Sequence, residues 1–151
     1  MRLWHKDLIT VLPRQQLIAQ WRECCCIIKN ISEKGTPNHL LVNKIMNYDI
    51  KHFYTYGLYV CIEMIHRGYK CDQNKFNKYF SGGEIVKDFS ELFNEFNNEW
   101  HNERYLDQCY YNLQEKFDCG GITEEEWDKL NKKYYEVKEK YSSEREDIEK
   151  W

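Results

Sequence analysis

The sequence predicts an all-α fold: a single compact helical domain that ends in a helical hairpin. Three observations carry this. Apolar residues recur at three- and four-residue steps, capping and breaking residues mark the ends of those stretches, and the chain holds only 2 Pro and 7 Gly. Pro13 suits the first turn of a helix over about residues 13–31, whose apolar stripe is Leu17, Ile18, Trp21, Cys25 and Ile28. Its opposite side carries Gln15, Gln16, Arg22 and Glu23. Gln15 to Arg22 and Gln16 to Glu23 are each seven residues apart, two helical turns, so the four can share one exposed face.

After a glycine turn, Thr36-Pro37 reads as an N-cap with proline at the first helical position, opening a helix from His39 to about Asn47. Asp49 caps the next helix, about residues 50–67, which carries Phe53, Tyr56, Tyr59, Val60, Met64 and Ile65 and stops at Gly68. Beyond Ser81-Gly82-Gly83, the spacing of Ile85, Phe89, Leu92 and Phe96 predicts another amphipathic helix. Residues 104–117 read as helical, and Gly120-Gly121 breaks the chain. Thr123 and Glu126 form a capping box that opens a last helix running from 124 towards the end. The alternating Glu and Lys of that helix suit a solvated surface helix held by ion pairs one turn apart, with a partner-binding coiled coil as the alternative.

The 151 residues suit one domain, divided into a helical core over 1–80 and an acidic helical extension over 81–151. No stretch approaches the roughly 20 apolar residues that span a bilayer, and the start Met1-Arg2-Leu3-Trp4-His5-Lys6-Asp7 has no long apolar run, so a cytoplasmic protein without membrane contact is expected. The 7 Cys are odd in number and three are consecutive (Cys24, Cys25, Cys26), which favours reduced thiols. No Cys-x-x-Cys or His-x-x-x-His pair occurs, so neither metal nor cofactor is expected. The net charge of −3 conceals an asymmetry: residues 1–80 hold 12 Lys and Arg against 6 Asp and Glu, a formal +6, while residues 81–151 hold 10 against 19, a formal −9. A nucleic-acid site belongs in the basic half, and the acidic half is where a protein partner would bind.

The string Leu12-Pro13-Arg14-Gln15-Gln16-Leu17-Ile18-Ala19-Gln20-Trp21-Arg22-Glu23 resembles the first-helix motif of the pyrimidine-dimer DNA glycosylase/abasic-site lyase family, the phage endonuclease V type. There a Gln-x-Leu-(apolar)-Ala-x-(aromatic)-Arg-Glu pattern presents the catalytic glutamate. Met1-Arg2-Leu3 is similar to the family's mature start, Asn38-His39 to its Gly-His segment, and His66-Arg67-Gly68-Tyr69 to its basic-Arg-Gly-aromatic helix end. The resemblance covers about residues 1–75.

The resemblance implies a metal-free enzyme acting on double-stranded DNA that carries damaged or abasic sites. The backbone amine of the first residue attacks the sugar C1′, the base leaves, and an imine joins protein to DNA. Loss of a C2′ proton then expels the 3′ phosphate. By the same resemblance Met1 and Glu23 are the catalytic residues, and Arg2, Gln15, Gln16, Arg22 and His39 contact DNA. Arg2, a bulky second residue, is expected to block removal of the initiator methionine, so that Met1 would carry the amine. An α-amine, with a reference pKa of about 8, is substantially neutral and nucleophilic near physiological pH. A carboxylate beside a developing sugar cation stabilises the transition state more than the ground state. The alternative reading is a non-catalytic nucleic-acid-binding or protein-interaction module on the same helical core.

Overall fold

Residues 1–12 are the segment around which the helices pack. The computed structural model describes residues 1–149. Leu3, Trp4, Leu8, Ile9 and Leu12 are buried, and so are the polar His5 and Lys6. Burying polar groups requires partners, and these come from distant parts of the chain. Lys6 Nζ donates to the carbonyls of Phe89, Ser90 and Leu92, each at 2.9 Å. The Lys6 N–H donates to His101 Nδ1 at 3.0 Å. The Tyr56 hydroxyl donates to the Trp4 carbonyl at 2.6 Å, and the Tyr105 hydroxyl donates to the Leu3 carbonyl.

After a 3₁₀ turn over Lys6–Val11, Pro13 leads into α1, Arg14–Lys34. This helix runs slightly past the expected end and closes on Gly35, whose φ of +74° is the left-handed conformation glycine adopts without a Cβ penalty. Helix α2, Ile50–His66, starts where Asp49 accepts the Lys51 N–H at 2.9 Å and is followed by Gly68 at φ +80°. Arg67 just beyond it bonds Glu63 at 2.8 Å and donates to the Leu12 and Thr10 carbonyls at 2.8 and 3.2 Å, binding the helix end to the N-terminal segment.

The short helix α3, Asn74–Asn77, inserts the fully buried Phe76 against α1 and α2. Gly57 makes room for it: a Cβ there would lie 2.2 Å from Phe76 Cζ. The ring is wedged among Trp21, Phe53, Tyr54 and Phe80, at centroid distances of 4.8–5.9 Å, and cannot swing away freely. Gly57→Ala is therefore expected to destabilise the fold by about 1–3 kcal/mol despite alanine's better helix propensity. The urea midpoint checks it, and an unchanged or raised midpoint would remove this packing role.

Two expected helices are not formed. Residues 39–47 make a turn followed by a 3₁₀ segment at Asn43–Asn47. Thr36 Oγ1 accepts the Asn38 N–H at 3.2 Å, and Asn38 takes a φ of +58°, so the apparent cap forms a local turn. Over 85–96 the carbonyls of Phe89, Ser90 and Leu92 serve Lys6, the Phe93 N–H donates to His52 Nδ1 at 3.0 Å, and Phe93 itself has φ +56°. What forms is a 3₁₀ turn, Phe89–Glu91, and the hairpin of β1, Asn94–Glu95, with β2, Asn98–Glu99, antiparallel and in register Asn94↔Glu99. Tertiary partners for the backbone outweigh helical periodicity here.

Helix α4, Glu103–Asp118, and helix α5, Glu124–Glu149, form the expected hairpin. The capping box is present: the Glu126 N–H donates to Thr123 Oγ1 and Glu126 Oε1 accepts the Thr123 N–H, both at 3.1 Å. Helix α5 is more than a solvated surface helix. It lies along α4 and the Lys6–Val11 turn, stacks Tyr134 on Tyr110 at 3.7 Å, and pairs Lys138 with Glu103 and Asp107. The expected extent of this helix over residues 150–151 lies outside the described residues.

His5 and His101 are both fully buried, their ring centroids 5.2 Å apart. Burial, reinforced by Lys6, lowers His5 to about 3, and burial with the nearby His5 and Lys6 holds His101 well below its ordinary value. His5 also faces Asp7, Tyr105 and Tyr141. Both rings are thus neutral in the folded state but protonate below about pH 6.5 when unfolded. The unfolded state then binds more protons, and stability falls as pH drops through 6.5, by up to about 1.4 kcal/mol per pH unit for each ring. Denaturant midpoints at pH 7, 6 and 5 should decline progressively. A flat profile over that range would contradict the neutral pair.

Candidate active site

Gln20 stands on the buried stripe of α1 and is completely enclosed. Its Oε1 accepts the Trp4 N–H at 2.8 Å and the Tyr56 hydroxyl at 3.0 Å, while its Nε2 donates to the Arg2 carbonyl at 2.9 Å and to Glu23 Oε2 at 3.3 Å. One amide thereby fastens the N-terminal segment along α1 and orients the carboxylate one turn further on. With Tyr56 on Trp4 and Tyr105 on Leu3, three helices hold the first residues beside Glu23.

The result is a cavity of about 520 Å³, within the usual range for small-ligand sites. Its walls are Met1, Arg2 and Trp4 from the N-terminal segment, Gln15, Gln16, Ala19 and Glu23 from α1, Leu41 from the following turn, and Asn112 and Lys116 from α4. Met1 is 42% exposed. Burial pushes the Glu23 carboxyl above its ordinary value, and the positive amino terminus, the Arg2 backbone N–H and His39 pull it back. The first residue, which carries the chain's amino terminus, and a half-buried carboxylate therefore line one space, which Lys116 also lines. Gln16 adds a buried Oε1 that has no hydrogen-bond partner among the described residues, an acceptor set in the cavity wall.

Of the residues singled out from sequence, Met1, Arg2, Gln15, Gln16 and Glu23 come together here. The Arg2 guanidinium lies over the Trp4 ring, 5.3 Å from its centroid. Arg22 and His39 are not among the lining residues. Arg22 is exposed on α1, while His39 braces the turn beyond the rim, its Nδ1 accepting the Leu41 N–H at 3.3 Å. Sequence reasoning missed Gln20, Tyr56 and Tyr105, which position the segment, and Leu41, Asn112 and Lys116, which close the walls. For Gln20 a signal existed: it is the polar residue on a stripe otherwise made of Leu17, Trp21, Cys24 and Ile28. For Asn112 and Lys116, about 90 residues from Glu23, there was none.

A larger and more open cavity of about 940 Å³ lies between residues 82–87 and the β-hairpin, beside His52, which bonds Glu95 at 2.8 Å. None of the sequence-predicted site residues lines it. Among the described residues no group of three or more His, Cys, Asp or Glu side chains is arranged to hold a metal ion, and no helix is long and apolar enough to cross a membrane. Residues 1–77 match the family model described as pyrimidine dimer DNA glycosylase, slightly more than half of the chain. No curated protein and no solved structure matches the chain significantly.

Proposed function

This chain belongs to the pyrimidine dimer DNA glycosylase family, and from that premise we propose that it also cuts the strand, as an abasic-site lyase whose nucleophile is the α-amine of Met1. The neutral amine attacks C1′ of the damaged nucleotide. The base departs with the electrons of the glycosidic bond and takes up a proton; the C1′–O4′ bond of the resulting glycosylamine then breaks, O4′ takes up the proton that the amine gives up, and an iminium joins Met1 to the ring-opened sugar. Removal of a C2′ proton then lets the C3′–O bond break, and the 3′ phosphate leaves with those electrons.

Glu23 stabilises the sugar cation and takes the C2′ proton. Its raised affinity for protons, a consequence of burial, suits a group that must accept one and return it. Arg2, Gln15, Gln16, Arg22 and His39 are assigned to DNA: the glutamines to the sugar and base at the cavity wall, Arg22 to phosphate along the exposed side of α1, and Arg2 and His39 to the rim. The substrate on this reading is duplex DNA with a damaged or abasic site.

The observation that carries the reading is that Met1 and Glu23 line one cavity, with Gln20 bonded to the backbone beside the first and the side chain of the second. Borohydride added to the protein on an abasic-site duplex should trap a covalent adduct. Absence of the adduct under conditions where the protein binds that duplex would overturn the amine mechanism. It would favour a non-catalytic module, to which the exposed acidic end of α5, with Ile148 at 73% exposure, would contribute a protein-binding surface.

A further inference from the structure

The cysteines are free thiols, and two of them are brought together by a reversal of the chain. Beyond α2 the Gly68 N–H donates to the Ile65 carbonyl and the Tyr69 N–H to the Met64 carbonyl, both at 2.9 Å. With Gly68 at φ +80°, this is the glycine-ended turn that redirects a chain at the end of the helix it leaves. Cys71 on the returning segment comes alongside Cys61 on α2, and their Sγ atoms are in contact at 2.6 Å. The segment is held from beyond as well. Asp72 Oδ1 accepts the Asn74 N–H at 3.0 Å, and Phe76 of α3 fills the space over Gly57, one turn before Cys61 on the same side of α2.

We propose that Cys61 and Cys71 are a modification site, a dithiol that closes into an intramolecular disulfide by exchange with a low-molecular-weight disulfide such as that of glutathione. Burial sets the order of events. Cys61 is 1% exposed, so a reagent in solution reaches the half-buried Cys71 first. The Cys71 thiolate attacks one sulfur of the small disulfide and expels a small thiolate, which leaves a mixed disulfide. Cys61 gives up its proton and attacks the Cys71 sulfur. A bond forms between the two protein sulfurs, and the second small thiolate departs. The two departing thiolates take up the two protons that the cysteines lose, so two protein thiols are oxidised while one small disulfide is reduced to two thiols.

Burial, the contact with Cys61, and the neighbouring Cys25 and Asp72 all push the Cys71 thiol up. Lys75 of α3 acts in the opposite sense, on Cys25. Little Cys71 thiolate is therefore present at neutral pH, and the exchange is slow at pH 7 and quickens as the pH rises, by up to about tenfold per unit. The bridge sets gradually and acts as a lock. It closes a loop across the Gly68 turn and holds the returning segment, with α3 and Phe76, against α2, which restricts the unfolded chain. Nothing in this depends on how the cavity at Met1 is used.

The test incubates the reduced protein with glutathione disulfide at about pH 8.5, near the reference pKa of a free thiol, and digests it with trypsin in the absence of reductant. Cleavage after Arg67 and Lys70 puts the two cysteines in separate peptides, so the bridged protein should yield one species joining residues 52–67 to residues 71–75, and dithiothreitol should separate them. The bridged form should unfold at a urea midpoint about 1 M above that of the reduced form. Cys61→Ser should stop at the glutathione adduct on Cys71. Cys71→Ser should give no linked species and the same midpoint with and without the oxidant, while Cys25→Ser should behave as the parent. A glutathione adduct that persists on Cys71 of the parent, a link from Cys71 to Cys25 in place of Cys61, or thiols that do not react at all would overturn the site. A bridged protein whose midpoint is no higher than that of the reduced form would overturn the lock.

Discussion

Extra residues placed ahead of Met1 should abolish the borohydride-trapped adduct and the strand cleavage while leaving duplex binding largely intact. The extension turns the α-amine into an amide, which has no basic lone pair to form an imine. The side chains proposed to contact phosphate keep their charges. The adduct should drop on the order of 10²-fold or more, since removal of a covalent nucleophile leaves only positioning and electrostatics. A competing amine stands in the same cavity, Lys116. If the extended chain still forms the adduct and Lys116→Ala abolishes it, the nucleophile is the lysine and the assignment of Met1 is wrong. The adduct should instead persist in Lys116→Ala with the native amino terminus.

Glu23→Gln should bind an abasic-site duplex within a few-fold of the parent yet cleave it about 10²–10⁴ times more slowly. The replacement keeps the size of the side chain and an acceptor oxygen for Gln20 Nε2, so the pairing that fixes the N-terminal segment survives. It removes both the negative charge facing the sugar cation and the site that accepts the C2′ proton. Because Gln20 is anchored independently by Trp4, Tyr56 and Arg2, the fold has no reason to change, and the thermal midpoint should confirm this. Single-turnover cleavage measures the effect on chemistry apart from product release. A rate near that of the parent would remove Glu23 from the mechanism and leave the cavity as a binding site only.

Much of the helical framework was legible residue by residue. Gly35 and Gly68 end helices where their lack of a Cβ permits a positive φ, Asp49 caps α2, and Thr123 with Glu126 opens α5. These are local signals, satisfied by atoms within a few residues. The failures occur where local atoms are outcompeted. Phe89 and Leu92 have helical spacing, yet their carbonyls bond Lys6, more than 80 residues earlier, and Phe96, expected on an apolar stripe, is 95% exposed at the hairpin turn. Thr36-Pro37 has the composition of a helix start, but the Thr36 hydroxyl bonds Asn38 and the chain turns instead.

The candidate site divides along the same line. That Gln15, Gln16, Arg22 and Glu23 can share a side of α1 follows from 3.6-residue periodicity alone, whereas Glu23 and the amine of Met1 were singled out by the resemblance of residues 1–75 to a known family. Periodicity says nothing about the distance between two elements. Whether the first residue lies beside Glu23 depends on a buried amide, Gln20, and two tyrosine hydroxyls contributed by α2 and α4, and the lining of the cavity is completed by Asn112 and Lys116. Such contacts form because buried polar groups must be paired with whatever the packed chain brings near them. One dimension of residues could therefore supply the candidate groups, while packing in three dimensions brought them to a common cavity.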